Sequence, residues 1–130
     1  MTPGVESDPP GDRTIIRYEQ VLPLLVAACP SFEASDEARH VSEPDGDFLA
    51  VSHFVAHLIA RLGRNEPGAF RAVFAVVELV LAEGDDEARS LIQAGFLHEL
   101  TRLDWYRGSG LTPRDFLPWL GPRAQRLGLV

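Results

Sequence analysis

The sequence predicts an all-α protein of five to six helices, arranged either as a short α-α superhelix of HEAT-like helical hairpins or as a compact helical bundle. Three observations carry that expectation. Apolar residues recur at three- and four-residue spacing through most of the 130-residue chain. No run alternates apolar and polar residues with the period of two that a half-buried strand needs, and Gly or Pro separates each helical run from the next. Phe54, Phe74 and Phe96 recur at spacings of 20 and 22 residues, a rhythm that suits successive hairpins or a plain bundle.

Residues 1–13, rich in Pro, Gly and acid, are expected to form a disordered tail, leaving residues 14–130 as a single helical domain. Thr14 is placed as the N-cap of a first helix on which Tyr18, Val21, Leu22, Leu25, Val26 and Cys29 share one face, with Arg17 and Gln20 opposite. Pro23 should kink or split this helix and Pro30 should stop it. Residues 31–47 hold six acids and one arginine, with Pro44 and Gly46 as breakers. They read as a short helical turn over 36–41 followed by loop.

The cleanest amphipathic helix covers residues 48–64. Phe48, Val51, Phe54, Val55, Leu58, Ile59 and Leu62 make its apolar stripe, and His53, His57, Arg61 and Arg64 its opposite, solvated face. Asn65 or Glu66 then reads as a cap and Pro67 as the first position of a helix to Glu83. That helix is apolar almost all round, with only Arg71 and Glu78 on a polar strip, so it is assigned to the middle of the domain. Gly84 is expected to end it through positive φ. A following helix over 86–103 buries Leu91, Ile92, Phe96, Leu97, Leu100 and Leu103, with Gly95 permitting a close neighbour. Thr112, Pro113 and Asp115 open a last short helix with a capping-box-like start, and Gly121 and Pro122 close it.

Hydrophobic and charged fractions of 45% and 24% are those of a globular protein and exclude wholesale disorder. Apolar runs are broken within about a dozen residues, short of the roughly 20 that a bilayer span requires, so no membrane partner is expected. The stretch "MTPGVESDPPGDRT" lacks a basic segment followed by an apolar one, which argues for a cytoplasmic address. The lone Cys29 agrees, and on an apolar helix face it reads as a buried, inert thiol.

The formal net charge of −7 is uneven. Residues 1–50 set three arginines against ten acids, and residues 100–130 five arginines against two acids. Nucleic acid, which needs clustered positive charge, is disfavoured, and a basic protein partner is favoured.

Glu83, Asp85, Asp86 and Glu87 crowd four carboxylates into five residues. They lack the alternate-position ligands and distal glutamate of a calcium loop, and serve instead as capping acids at a helix start. Glu99 projects toward Ala88, Ile92 and Gly95, so it needs a buried partner, for which Arg71 is the economical choice. His53 and His57 have the spacing of two zinc ligands on one helix. However, Phe54 stands where a general-base Glu would be, Arg61 and Arg64 repel a cation, and no third ligand is evident. No glycine-rich phosphate loop, nucleophile elbow or Cys cluster is present, so no catalytic residue, cofactor or metal is expected.

The stretches "VFAVVELVLAEGDDEARSLIQAGFLHEL" (residues 73–100) and "FLPWLGP" (residues 116–122) resemble the DUF7674-type small bacterial helical proteins, over most of the chain. The resemblance implies an all-helical fold and immunity-protein-like company, and it carries no catalytic residues. The leading expectation is a non-enzymatic protein-binding module that neutralises a basic partner, such as a nuclease toxin, with acidic surface. Glu33, Asp36, Glu37, Glu43, Asp45 and Asp47 would supply unpaired charge, and Trp105, Tyr106 and Trp119 the buried anchors. Two alternatives stay open: a structural, self-associating protein using the aromatic tail, monomer or dimer, and a small metal-dependent enzyme using His53 and His57.

Overall fold

A computed structural model describes residues 15–39 and 46–128. The expected tail, the Thr14 cap and the end of the 36–41 turn lie outside these residues. Along the chain come α1 (Tyr18–Ala28), a 3₁₀ turn (Pro30–Ala34), α2 (Asp36–Arg39), α3 (Gly46–Gly63), α4 (Phe70–Glu83) and α5 (Asp86–Ser90). A π-helical stretch (Leu91–Leu97) and a 3₁₀ turn (Glu99–Thr101) continue α5, and 3₁₀ segments Leu103–Tyr106 and Pro113–Trp119 lead to α6 (Pro122–Arg126). The described residues contain no strand beyond one isolated bridge between Ile16 and Gly84. The chain is all-α.

α1 opens after Arg17, whose N–H donates to Gln20 Oε1 at 2.8 Å while the Gln20 N–H donates back to the Arg17 carbonyl at 2.9 Å. Val21, Leu25 and Cys29 are buried along one side, as the periodicity requires. Pro23 does not split the helix. Its ring is exposed, and the one backbone bond it omits is to the Glu19 carbonyl, one turn from the helix start.

α3 ends in a Schellman motif rather than at its glycine. Asn65 takes a left-handed conformation (φ 60°), its N–H donating to the Leu62 carbonyl at 2.9 Å and the Glu66 N–H to the Arg61 carbonyl at 2.8 Å. Asn65 therefore closes α3 instead of capping α4. Pro67 lies in the intervening turn, where its carbonyl accepts from the Phe70 N–H.

α4 is an outer helix, not a central one. It buries Phe70, Val73, Phe74, Val77 and Val80, and leaves Leu79 42% exposed beside exposed Ala72 and Ala75. Short side chains on the outer face gave the strip its apolar look. Gly84 differs from expectation too, because its φ is −81°. Glycine is needed there for space: a Cβ would stand 2.6 Å from the Val80 carbonyl oxygen. Ile16 straps the same junction, its N–H donating to the Glu83 carbonyl and its carbonyl accepting from the Asp85 N–H, both at 2.8 Å. Asp85 then caps α5 as expected, Oδ1 accepting the Ala88 N–H at 2.8 Å.

The helix expected over 86–103 is broken. After Ser90 the ladder widens, with the His98 N–H reaching the Gln93 carbonyl five residues back at 2.9 Å. This longer repeat turns Leu91, Ile92, Gly95, Phe96 and Leu97 inward together. Gly95 does admit a close neighbour, since a Cβ would lie 3.6 Å from side-chain atoms of Phe48 and Val51 on α3. The chain turns extended at Arg102, so Leu103 is 71% exposed rather than core.

The last expected helix is a 3₁₀ segment. Its Thr112 N–H donates to Asp115 Oδ2 at 2.8 Å, as the predicted box requires. That segment does end at Trp119, just before Gly121 and Pro122, which also begin a further helix, α6, whose first amides are held by Glu78. Its Oε1 accepts from the Arg123 N–H at 3.0 Å and its Oε2 from the Ala124 N–H at 2.9 Å. Glu78 is thus no solvated strip residue.

One continuous apolar cluster joins all these elements. Phe96 sits between Phe54 (6.4 Å between centroids) and Phe74 (5.6 Å), and Phe74 leads on to Phe70 and Phe116. The phenylalanine rhythm is therefore the spine of a shared core. α1 packs on α3, α4 and α5, whereas a hairpin in a solenoid touches only its neighbours. The arrangement is that of a compact bundle.

Candidate functional site

The residues where the chain passes from α1 to α2 wrap across the outer side of α3. Pro30 stops α1 and opens the 3₁₀ turn, which drives Phe32 into the core, edge-on to Phe54 at 5.2 Å, and leaves Ser31 and Glu33 exposed. Ser35 then starts α2. Its hydroxyl donates to the Phe32 carbonyl at 2.6 Å and accepts the Ala38 N–H at 3.2 Å. Glu37 is thereby held over α3.

Beneath it lies His57, only 3% exposed. Its Nδ1 is 3.0 Å from Glu37 Oε1 and its Nε2 is 2.8 Å from Ser31 Oγ. Arg61 Nη1 donates to the same hydroxyl at 3.1 Å, and Cys29 Sγ lies 3.5 Å from it. His57 therefore does not belong to a solvated basic face, because the acidic segment folds over that face and buries it. The burial is tolerated since both ring nitrogens are hydrogen-bonded. Cys29 is the buried, free thiol its position implied.

His53, one turn earlier, points elsewhere, its ring 5.7 Å from that of Trp105. Among the described residues no group of three His, Cys, Asp or Glu side chains is placed to hold a metal ion.

The predicted partner-binding residues fare unequally. Glu33 and Asp36 are exposed, and Asp47 is half-buried in the first turn of α3. Glu37 is not unpaired charge, being committed to His57 with its side chain 27% exposed. Glu43 and Asp45 lie outside the described residues.

Tyr106 is buried, and its hydroxyl donates to the Leu100 carbonyl at 2.5 Å, so it is core and not an anchor. Burial, with the Asp115 charge second, pushes its phenol far above the ordinary tyrosine range. Trp119 packs edge-on to Phe70 at 5.1 Å and is half-buried.

Trp105 remains half-open. Its indole N–H donates to Glu99 Oε1 at 3.0 Å, and the Arg102 guanidinium stacks 4.9 Å from the ring centre. Glu99 also pairs with Arg102 at 3.3 Å. The buried carboxylate has the partner it needs, but a local one: Arg71 belongs to α4 and is exposed.

Glu37, His53, Ala60, Gly63, Trp105 and Ser109 line one groove of about 500 Å³ between α3 and the segment after Leu103. Two predicted residues, Glu37 and Trp105, thus meet in one concavity, joined by His53. Sequence reasoning missed Ser31 and misplaced His57. Contacts spanning 20 and 26 residues have no local pattern that would reveal them.

The model of a domain of unknown function, DUF7674, matches residues 22–128. The chain belongs to the DUF7674 family. The matched span takes in Ser31, Glu37, His57 and Trp105, and so the whole of the cluster and groove. No curated protein and no solved structure matches the chain.

Proposed function

We propose that this DUF7674 chain is a protein-binding module of immunity-protein type, which engages a basic protein such as a nuclease toxin through the acidic segment and the groove beside it. The observation that carries the reading is the meeting of Glu37 and Trp105 in one groove, on the same segment that presents Glu33 and Asp36 to solvent. Exposed acids steer a cationic partner toward the surface, and a half-open tryptophan supplies the kind of contact area that dominates binding energy. Ser35, Phe32 and His57 hold the segment in place, so little ordering cost falls on association.

Among the described residues no helix is long and apolar enough to cross a membrane. A cytoplasmic address and a bacterial source belong to the same proposal. Self-association through the aromatic tail has less support, since Tyr106 and Trp119 pack into the core.

The test is capture of partners from the native host with the full-length protein, compared with a Glu33→Arg/Asp36→Arg variant and with Trp105→Ala. The expected result is a basic protein whose capture falls at least about tenfold in the charge-reversed variant. Trp105→Ala should weaken capture through faster release. Unchanged capture by both variants overturns the proposal.

A further inference from the structure

Ser31, His57 and Glu37 form a hydrogen-bonded chain. A carboxylate only accepts, so Nδ1 is the donor to Glu37 Oε1, and in that tautomer Nε2 is an acceptor. The Ser31 hydroxyl, 2.8 Å away, donates to Nε2 in that tautomer, while the Arg61 guanidinium donates to Ser31 Oγ from 3.1 Å. A hydroxyl, an imidazole and a carboxylate linked in that order are the nucleophile, base and orienting group of acyl transfer, recognised by geometry and not by position in the chain.

Burial follows the same division. His57 and Phe32, which lies 5.8 Å from its ring, are buried, and Ser31 is exposed on the outside of its turn. The base is shielded from water, and the residue that carries the hydroxyl lies at the surface.

We propose that Ser31, His57 and Glu37 form a hydrolytic site for short-chain carboxylic esters. Ser31 Oγ attacks the ester carbonyl carbon and its proton passes to His57 Nε2. Glu37 steadies the resulting imidazolium, and the oxyanion meets the Arg61 guanidinium. The tetrahedral adduct then breaks its bond to the alcohol oxygen, and the alcohol departs with the proton from Nε2. Water repeats the sequence in the second half: its proton goes to Nε2, its oxygen bonds the acyl carbon, and Ser31 leaves, reprotonated, from the carboxylic acid. No oxidant or metal enters the balance. Ser31 lies on an open turn, so the acyl group is small and the leaving group stays in solvent. Ser31 is the catalytic residue with His57 as its base, and Glu37 is a positioning residue.

This activity goes beyond the binding proposal and is tested separately on the full-length protein, with an alkyl fluorophosphonate as covalent probe and p-nitrophenyl acetate as substrate. The expected result is a single phosphonyl adduct mapped to the Ser31 peptide and lost in Ser31→Ala. Wild-type ester turnover should exceed that of Ser31→Ala by about 100-fold. Glu37→Gln, which keeps size and a hydrogen-bonding oxygen, should lower kcat at least about tenfold and leave KM unchanged. No adduct on Ser31 in protein with native circular dichroism, or equal turnover by Ser31→Ala, overturns the inference and leaves the cluster as a fastening of α2 to α3. Adduct and turnover are read without a partner, and capture without an ester, so failure of either proposal is told apart from failure of the other.

Discussion

Gly121 and Glu78 make a coupled pair whose energetics change according to which partner is mutated first. A Cβ on Gly121 would stand 2.4 Å from Glu78 Cδ and Cγ, so Gly121→Ala forces the carboxylate away from the amides of Arg123 and Ala124. Hydrogen bonds from amides to a charged, largely buried acceptor, together serving as a helix cap, make that displacement worth about 2 kcal/mol. Backbone strain contributes nothing, since Gly121 has φ −80°.

Glu78→Ala alone should cost a similar ~2 kcal/mol. In that background Gly121→Ala meets no carboxylate. Alanine's gain from a stiffer unfolded chain and its poorer capping then nearly cancel, leaving about 0.5 kcal/mol or less. Urea unfolding followed by tryptophan fluorescence reads the cycle. With a slope near 2 kcal/mol/M, each single variant should lower the midpoint by roughly 1 M, and the double variant should match Glu78→Ala. If Gly121→Ala costs the same in both backgrounds, glycine is needed there for another reason and the capping argument fails.

Gly84→Ala should cost about 1–3 kcal/mol in the same assay, because its new Cβ meets the Val80 backbone oxygen, which cannot swing aside. Asp85→Ala should lose about 1 kcal/mol with the cap of α5, while the neighbouring Asp86→Ala should change stability by no more than about 0.5 kcal/mol; equal effects would refute the cap assignment. Phe96→Ala, at the middle of the aromatic spine, should cost about 3–5 kcal/mol and lower the melting temperature more than any surface change.

Tyr106 supplies the pH prediction. Its raised phenol pKa means that the folded state keeps a proton the unfolded state releases above about pH 10, so stability is intact below that point and falls as pH rises beyond it. Tyr106→Phe should flatten that alkaline loss in denaturation experiments run from pH 9 to 11, and an unchanged slope would contradict it.

The helical class, the inward faces of α1 and, apart from Phe48, which is 48% exposed, of α3, and the Asp85 cap were legible in the sequence because each depends on neighbours within one or two turns. So was the close approach at Gly95, since a missing side chain amid an apolar run signals contact whatever the partner. Periodicity also picked Phe54, Phe74 and Phe96, though it could not say that one core gathers them.

The errors have a common cause. Pro67 and Pro122 both suit the first turn of a helix, yet only Pro122 starts one, because Glu78 from a distant helix holds the amides that follow. His57 carries the polar label of a surface residue and is buried because residues 31–37 fold across it. Glu37 looked like free charge until that fold gave it an imidazole. Local chain chemistry chose where helices form and which stripe each hides; only tertiary packing decided which polar side chains meet, because a hydrogen bond between residues 20 to 46 apart leaves no mark on the spacing of either.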